Sequence, residues 1–368
     1  MSLTEFFLGK RVFLTGHTGF KGGWLCHVLH HFGADVTGFA LKPEAKSFFN
    51  SCTTHKLIKH NIGDINDYKN LEKILCESKP DIIIHMAAQP LVRLSYEIPL
   101  VTLQTNIIGT ANVLMAARAC KSQPLVAVIT SDKCYENIET DIPYKETDRM
   151  GGHDPYSASK GAAEIVTASL AKSFHKNHGQ SVLSLRGGNV IGGGDWALNR
   201  IMTDLIEALI DERAPIIRSP KALRPWQHIL DVLSGYLSAI MYLSKQTPGT
   251  FDQFNIGPLA QNEADVTKLA NSVCKYWGGG IKPDLLPVQA HLHEAKLLRL
   301  DISKALNKLE WAPKFGFEET VKQTVDWYQA ESRVEDMTSF TKRQINDYFV
   351  RANTHGSEIS KHERSRAS

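Results

Sequence analysis

Long apolar runs are missing from this chain. No early stretch has the length or flanks of a signal peptide, and none predicts a membrane span. The expectation is a cytoplasmic protein with no membrane partner. Paired cysteines are missing too. Cys26, Cys52, Cys76, Cys120, Cys134 and Cys274 are scattered with no CxxC spacing, which reads as reduced thiols rather than a disulfide frame. No metal-ligand spacing is present, so no metal is expected; His30–His31 and the His291/His293 pair read as surface or loop histidines. Charge of one sign is also lacking. The 42 basic residues stand against 39 acidic ones, net +3, too even to argue for a nucleic-acid partner. Internal repeats are absent.

What is present is enough chain for a sizeable core: 368 residues, 42% of them hydrophobic. That length suggests two domains or one large α/β unit. Arg11–Thr15 reads as a short buried strand running into Gly16, His17, Thr18, Gly19, Phe20, Lys21, Gly22 and Gly23. Apolar residues then recur at helical spacing at Trp24, Leu25, Val28, Leu29 and Phe32. Gly33 ends the helix, and Val36–Ala40 makes a second strand. Strand, glycine loop, helix and strand form a unit in which glycines permit a tight turn. They also let backbone approach a pyrophosphate that the helix N-terminus attracts.

The Gly16, Gly19, Gly22 spacing resembles the extended short-chain dehydrogenase/reductase superfamily, whose members act on nucleotide sugars. The resemblance implies a Rossmann-type doubly wound parallel sheet, α/β, with a smaller C-terminal α/β substrate-binding lobe. It implies NAD as cofactor, held by Gly16, Thr18, Gly19, Phe20 and Gly22. No acidic residue closes the second strand; Ala40, Leu41, Lys42 and Pro43 stand there, and Lys42 and Lys46 offer an alternative 2′-phosphate site for NADP. Asn61–Ile65 looks like the end of a third strand, where the superfamily places an acidic–apolar pair against adenine, here Asp64 and Ile65. Asp81–His85 is a fourth strand, apolar throughout as a strand covered on both faces should be. The Ala87, Ala88 and Gln89 that follow either pass close to a cofactor or pack strand on helix. Residues 101–120 predict a long helix. By resemblance its Asn106 supports the active-site lysine through a hydrogen-bonded relay, against a capping or packing role, and the helix packs on a partner subunit in a homodimer.

Leu125–Thr130 predicts a fifth strand ending in Ser131, Asp132 and Lys133. Side chains beyond the carboxyl ends of parallel strands face the ligand. Asp154–Lys160 starts a helix at Pro155, which puts Tyr156 and Lys160, four residues apart, on one face. An ammonium beside a phenol favours the phenolate, giving a base for an alcohol proton. Ser131, Tyr156 and Lys160 complete the superfamily's hydroxyl–tyrosine–lysine set. By resemblance, Lys160 also binds the nicotinamide ribose. Asp132–Lys133 is what nucleotide-sugar 4,6-dehydratases need and epimerases do not. After oxidation at C4, one group takes the C5 proton and another protonates the departing C6 oxygen. Asp132 reads as the acid; Lys133 is the C5 base or only orients Asp132.

Ser181–Arg186 predicts a sixth strand. Beyond it, Arg186 and the run Gly188–Trp196 resemble the CDP-glucose 4,6-dehydratase family. So do Arg218–Lys221 with Arg224–His228, Gln89–Arg93, His293–Ala295, and Leu300–Asp301 with Trp311–Pro313. The matches run in order over residues 8–345. The implied substrate is CDP-glucose, with a product that feeds deoxysugars of surface polysaccharide. A nucleoside diphosphate needs cations and flat groups. Arg218, Arg224 and Arg299 are candidates for its phosphates, Asn189 for the diphosphate or sugar, and Arg93 for the sugar pocket. Trp226 either stacks on the base or packs. The expected division is 8–185 plus 228–256 for the dinucleotide domain and 186–227 plus 257–352 for the substrate lobe. A polar tail at 353–368 is expected to be disordered.

Overall fold

The computed structural model describes residues 1–286 and 298–355, with side chains to 350. Seven strands make one sheet: β1 (Arg11–Thr15), β2 (Asp35–Ala40), β3 (Lys59–Ile62), β4 (Ile82–His85), β5 (Leu125–Ile129), β6 (Val182–Arg186) and β7 (Phe251–Asn255). Their order across it is β7-β6-β5-β4-β1-β2-β3. Every neighbouring pair is parallel. The order reverses between β1 and β4, which opens a crevice at their carboxyl ends.

The strands read as continuous apolar runs because both faces of the sheet are covered. Alternate residues go to opposite layers. Val12 and Leu14 of β1, Ile82 and Ile84 of β4, and Ala127 and Ile129 of β5 join one core. That core also takes residues of helices α1 (Phe20–His31), α5 (Ile229–Leu243), α7 (Phe317–Ser332) and α8 (Met337–His355). Phe13, Ile83, Val126 and Val128 join the other, with residues of α2 (Tyr68–Glu77) and α3 (Pro99–Ala119). The expected doubly wound α/β fold is therefore what the chain forms. Outside the main sheet lie three short strand pairs. Val190–Ile191 runs parallel to Gln227–His228, Leu223–Pro225 antiparallel to Glu263–Asp265, and Ile216–Ile217 parallel to Asp284–Leu285. Helix α6 (Val266–Trp277) packs with them.

Three expectations need correction. Cys76 and Cys120 are joined in a disulfide, Cα to Cα 5.1 Å, because α2 and α3 lie side by side on one face of the sheet and each ends in a cysteine. The other four cysteines are free and buried. Helix α3 is, by length and composition alone, apolar enough to span a membrane, with 44% of it buried in the fold; its apolar residues serve the sheet on one side. Helix α8 runs to His355, three residues into the stretch expected as tail, because the pattern of Phe340, Ile345 and Tyr348 keeps it packed. Residues 356–368 and His291/His293 lie outside the described residues.

Candidate active site

The glycine loop lies on the crevice. Gly16 has φ +78°, and a Cβ there would sit 2.6 Å from the Ala87 nitrogen. At Gly22 a Cβ would sit 2.2 Å from the Gly16 carbonyl oxygen. No side chain larger than hydrogen fits at either place, so the loop stays open along its backbone. Gly19 caps α1 without a side-chain bond, leaving first-turn N–H groups for an anion. Thr18 ties the loop to the end of β2 through Oγ1 to the Leu41 carbonyl, 3.0 Å. Ala87, Ala88 and Gln89 leave β4 directly opposite, and Phe20 opens α1. Asp64 is exposed, its Oδ1 accepting the Asn66 N–H at 2.9 Å. Ile65 is buried against Gly109, where a Cβ would come within 2.4 Å. Lys46, one of the two candidate 2′-phosphate lysines, lies over the Trp196 ring at 3.4 Å and 3.3 Å from Glu207. That engagement leaves only Lys42 of the pair.

Asp154 starts helix α4 (Pro155–Leu170) by accepting the Ser157 N–H at 2.9 Å, with Pro155 in the first turn. Tyr156, Lys160 and Glu164 then follow on one buried face, 8%, 6% and 3% exposed. Burial pushes the Tyr156 phenol up to about 12, against a smaller lowering by its hydrogen bond with Ser131. The expected depression by Lys160 is overturned. Burial also brings the ammonium down to about 8, helped by the charge of Lys21, so it is a weaker cation than spacing alone suggests. Asn106 sits in a π-turn of α3. It accepts the Gln89 N–H at 2.8 Å and donates to the Gln89 carbonyl at 3.1 Å and to Ser159 Oγ at 2.8 Å. It therefore ties the loop after β4 to α4 beside Lys160, without a bond to the lysine itself.

Ser131 lies two residues beyond the end of β5 and caps the single 3-10 turn of Asp132–Cys134. Ser131 Oγ accepts the Lys133 N–H at 3.2 Å and donates to Asp132 Oδ1 at 2.8 Å. Asp132 is 5% exposed, and its Oδ2 accepts from Asn189 Nδ2 at 3.2 Å. Asn189 has φ +52°, and a Cβ on Gly188 would fall 2.0 Å from the Asp132 carboxyl carbon. Asp132, Gly188, Asn189, Gln227, Glu263 and Arg299 line a pocket of about 270 Å³.

The substrate candidates divide. Asn189 and Arg299 line this pocket, but Arg299 forms a two-pronged ion pair with Glu263. Arg93 donates to Asn199 Oδ1 at 3.1 Å, and Arg224 donates to the Leu223 carbonyl at 2.8 Å. Arg218 is exposed. Trp226 is 5% exposed and gives its indole N–H to the Ala264 carbonyl at 3.1 Å. Of its two readings, packing holds, because the strand pair formed with Glu263–Asp265 closes over the ring. Reading by motif missed Lys21, whose ammonium burial lowers to about 8 in the field of Arg200, and Arg200 itself. It also missed Glu263 and Gln227. Lys21 and Gln227 stood inside quoted motifs, but nothing in the sequence separated them from packing residues.

A profile of the family described as GDP-mannose 4,6 dehydratase matches residues 13–324. CDP-glucose 4,6-dehydratase of Salmonella typhimurium is 43% identical over 350 residues, covering 94% of this chain and 97% of that one. The chain belongs to the nucleotide-sugar 4,6-dehydratase family. Members and neighbours share the fold across most of their length. The structure of dTDP-glucose 4,6-dehydratase from Bacillus anthracis with NAD has TM-score 0.73 at 21% identity, covering 89% of this chain and 99% of that one. UDP-glucose-4-epimerase from Stenotrophomonas maltophila has TM-score 0.75 at 22%, covering 88% and 99%. Asp132, expected from the sequence as the acid of the elimination, lies on the wall of the pocket.

Proposed function

We propose that this protein is a CDP-glucose 4,6-dehydratase, converting CDP-glucose to CDP-4-dehydro-6-deoxyglucose and water. The observation that carries the reading is the Asp132 carboxylate. Ser131 and Asn189 hold it on the pocket wall, beside the buried Tyr156–Lys160 pair. The 43% identity to the Salmonella typhimurium enzyme supports the nucleotide. The cofactor is NAD, held by the Gly16–Gly22 cradle whose Cβ positions are filled by backbone, and when bound it supplies acceptance and return of a hydride.

The side chains do the proton work. Tyr156, acting as its phenolate, takes the proton of the sugar's C4 hydroxyl, and Ser131 holds that oxygen. A C4 ketone acidifies the hydrogen on C5. Lys133, whose side-chain nitrogen has no hydrogen bond among the described residues, takes that proton as the neutral amine and becomes the ammonium. Asp132 protonates the C6 oxygen as it leaves. Arg299 and Arg224 bind the diphosphate, with Arg299 exchanging Glu263 for phosphate. The enzyme works in the cytoplasm and supplies deoxysugars for surface polysaccharide. It is a homodimer, paired through the exposed apolar side chains of α3 and the α4 region, Leu100, Val101, Ile108, Ile165 and Phe174. The test is incubation of the purified protein with CDP-glucose and NAD. A product lighter by one water supports the reading, and unreacted CDP-glucose beside turnover of another nucleotide sugar removes the nucleotide.

A further inference from the structure

Gln227 stands one step behind the acid. It is 1% exposed and lines the same pocket as Asp132. Its side-chain amide donates to the Gly188 carbonyl at 2.7 Å and to the Ile256 carbonyl at 3.3 Å. Its backbone N–H donates to the Asn189 carbonyl at 3.2 Å. So one residue fixes both peptide units of the turn that faces Asp132. That turn needs fixing. Asn189 is held at φ +52°, a conformation that costs a non-glycine residue free energy unless its surroundings hold it. Gly188 passes so close to the carboxylate that a Cβ would overlap it. The amide that reaches Asp132 Oδ2 is Asn189's own. Gln227 Oε1, meanwhile, is buried with no hydrogen-bond partner among the described residues. A buried acceptor left single is unfavourable by itself, so what a glutamine supplies here over an apolar residue is its amide N–H pair on the Gly188 and Ile256 carbonyls.

We infer that Gln227 is a positioning residue for the elimination step. Through the Gly188–Asn189 turn it aims the Asn189 amide at Asp132 and so sets the carboxyl toward the departing C6 oxygen. The inference rests on the proposed dehydratase reading and deepens it. It also gives an order: Gln227 and Asn189 serve the step that breaks the C6–O bond, while Ser131 and Tyr156 serve the oxidation at C4. Losing the fixed orientation of a buried acid slows only the step that uses it.

The test compares wild type with Gln227→Met, which keeps length and loses both donors, and Asn189→Gly, which keeps the left-handed backbone and loses the amide. Each is mixed with NAD and CDP-glucose in D₂O. Absorbance at 340 nm follows the oxidised-sugar stage, and mass spectrometry follows water loss and deuterium at C5. In both variants the expected result is C4 oxidation within about 3-fold of wild type, water loss slowed about 10–100-fold, and absorbance at 340 nm that accumulates. KM stays within about 3-fold. Deuterium enters C5 of sugar that has not lost water. Equal slowing of oxidation and water loss, with a lowered melting temperature, overturns the inference in favour of simple packing. A raised KM for Asn189→Gly with the two stages still in step overturns it in favour of substrate binding. If Gln227→Met does not fold, Asn189→Gly decides between the same outcomes. A wild type that dehydrates no nucleotide sugar removes the proposed function instead, and is seen in the wild-type arm alone.

Discussion

The Arg186–Glu164 pair offers the sharpest test of how the site is held. Both side chains are almost fully buried, 2% and 3% exposed, and meet at 2.8 Å. Glu164 also accepts from the hydroxyls of Thr130 and Ser184. Arg186 also donates to Tyr135 Oη at 2.7 Å and to the Glu146 carbonyl at 3.0 Å. Glu164 is the third residue on the face that carries Tyr156 and Lys160, and Thr130 immediately precedes Ser131. The pair therefore ties α4 to the end of β5, where the two halves of the site meet. Glu164→Gln leaves a guanidinium buried without its counter-charge. Breaking such a pair costs about 3–5 kcal/mol, a large share of a typical net stability of about 5–15 kcal/mol. Arg186→Met leaves a carboxylate in the same condition and costs a similar amount. The double variant Glu164→Leu/Arg186→Met removes both charges. It should be less destabilised than the sum of the singles by at least about 2 kcal/mol. Urea unfolding followed by circular dichroism gives all three values. A Glu164→Gln cost under about 1 kcal/mol, or a double variant equal to the sum, refutes the reasoning.

Tyr156→Phe removes the group proposed to take the C4 proton, so CDP-glucose should produce no absorbance at 340 nm; oxidation at the wild-type rate would exclude the phenol as base. Asp132→Asn should still oxidise C4 and lose at least about 100-fold in water release, read by mass spectrometry; normal product would exclude Asp132 as acid. Acid should destabilise the fold through its buried histidines. Burial brings His17, His85 and His228 down to about 3 and His27 to about 4, while the unfolded chain takes up these protons near 6.5. The unfolded state thus binds more protons below that pH. The stability present above pH 6.5 is lost as pH falls toward the folded values, by about 1.4 kcal/mol per pH unit for each histidine. In His228→Asn the slope of stability between pH 6.5 and 5, from urea midpoints, should fall by about that amount, and an unchanged slope contradicts it.

The fold was legible because its signals are local. Continuous apolar strands, glycines at a strand end and Pro155 after Asp154 each act within a few residues, and the strands and helices lie close to where those signals put them, except that β3 ends at Ile62, short of the Asn61–Ile65 end expected. The placement of the motif residues was legible for the same reason: Ser131 and Asp132 follow the end of β5, and Tyr156 and Lys160 share one buried face of α4. Longer-range physics was not legible. Spacing suggested that Lys160 lowers the Tyr156 pKa, but burial, which only the packed chain reveals, dominates both groups. Trp226 looked able to stack on a base until Ala264 supplied an acceptor 38 residues away. Arg299 carried no mark of Glu263, and Gln227 no mark of the turn it braces, since both contacts join segments distant in sequence. Cys76 and Cys120, 44 residues apart, meet because two helices happen to share one face of the sheet.

The central claim is the elimination, and one measurement reaches it most directly. The protein is incubated with CDP-glucose and NAD in D₂O, and the nucleotide sugar is weighed and mapped by mass spectrometry. The account predicts loss of one water and gain of one solvent deuterium at C5. It also predicts that a deuterium placed beforehand at C4 arrives at C6. Unchanged mass with inversion at C4 contradicts it and makes the protein an epimerase.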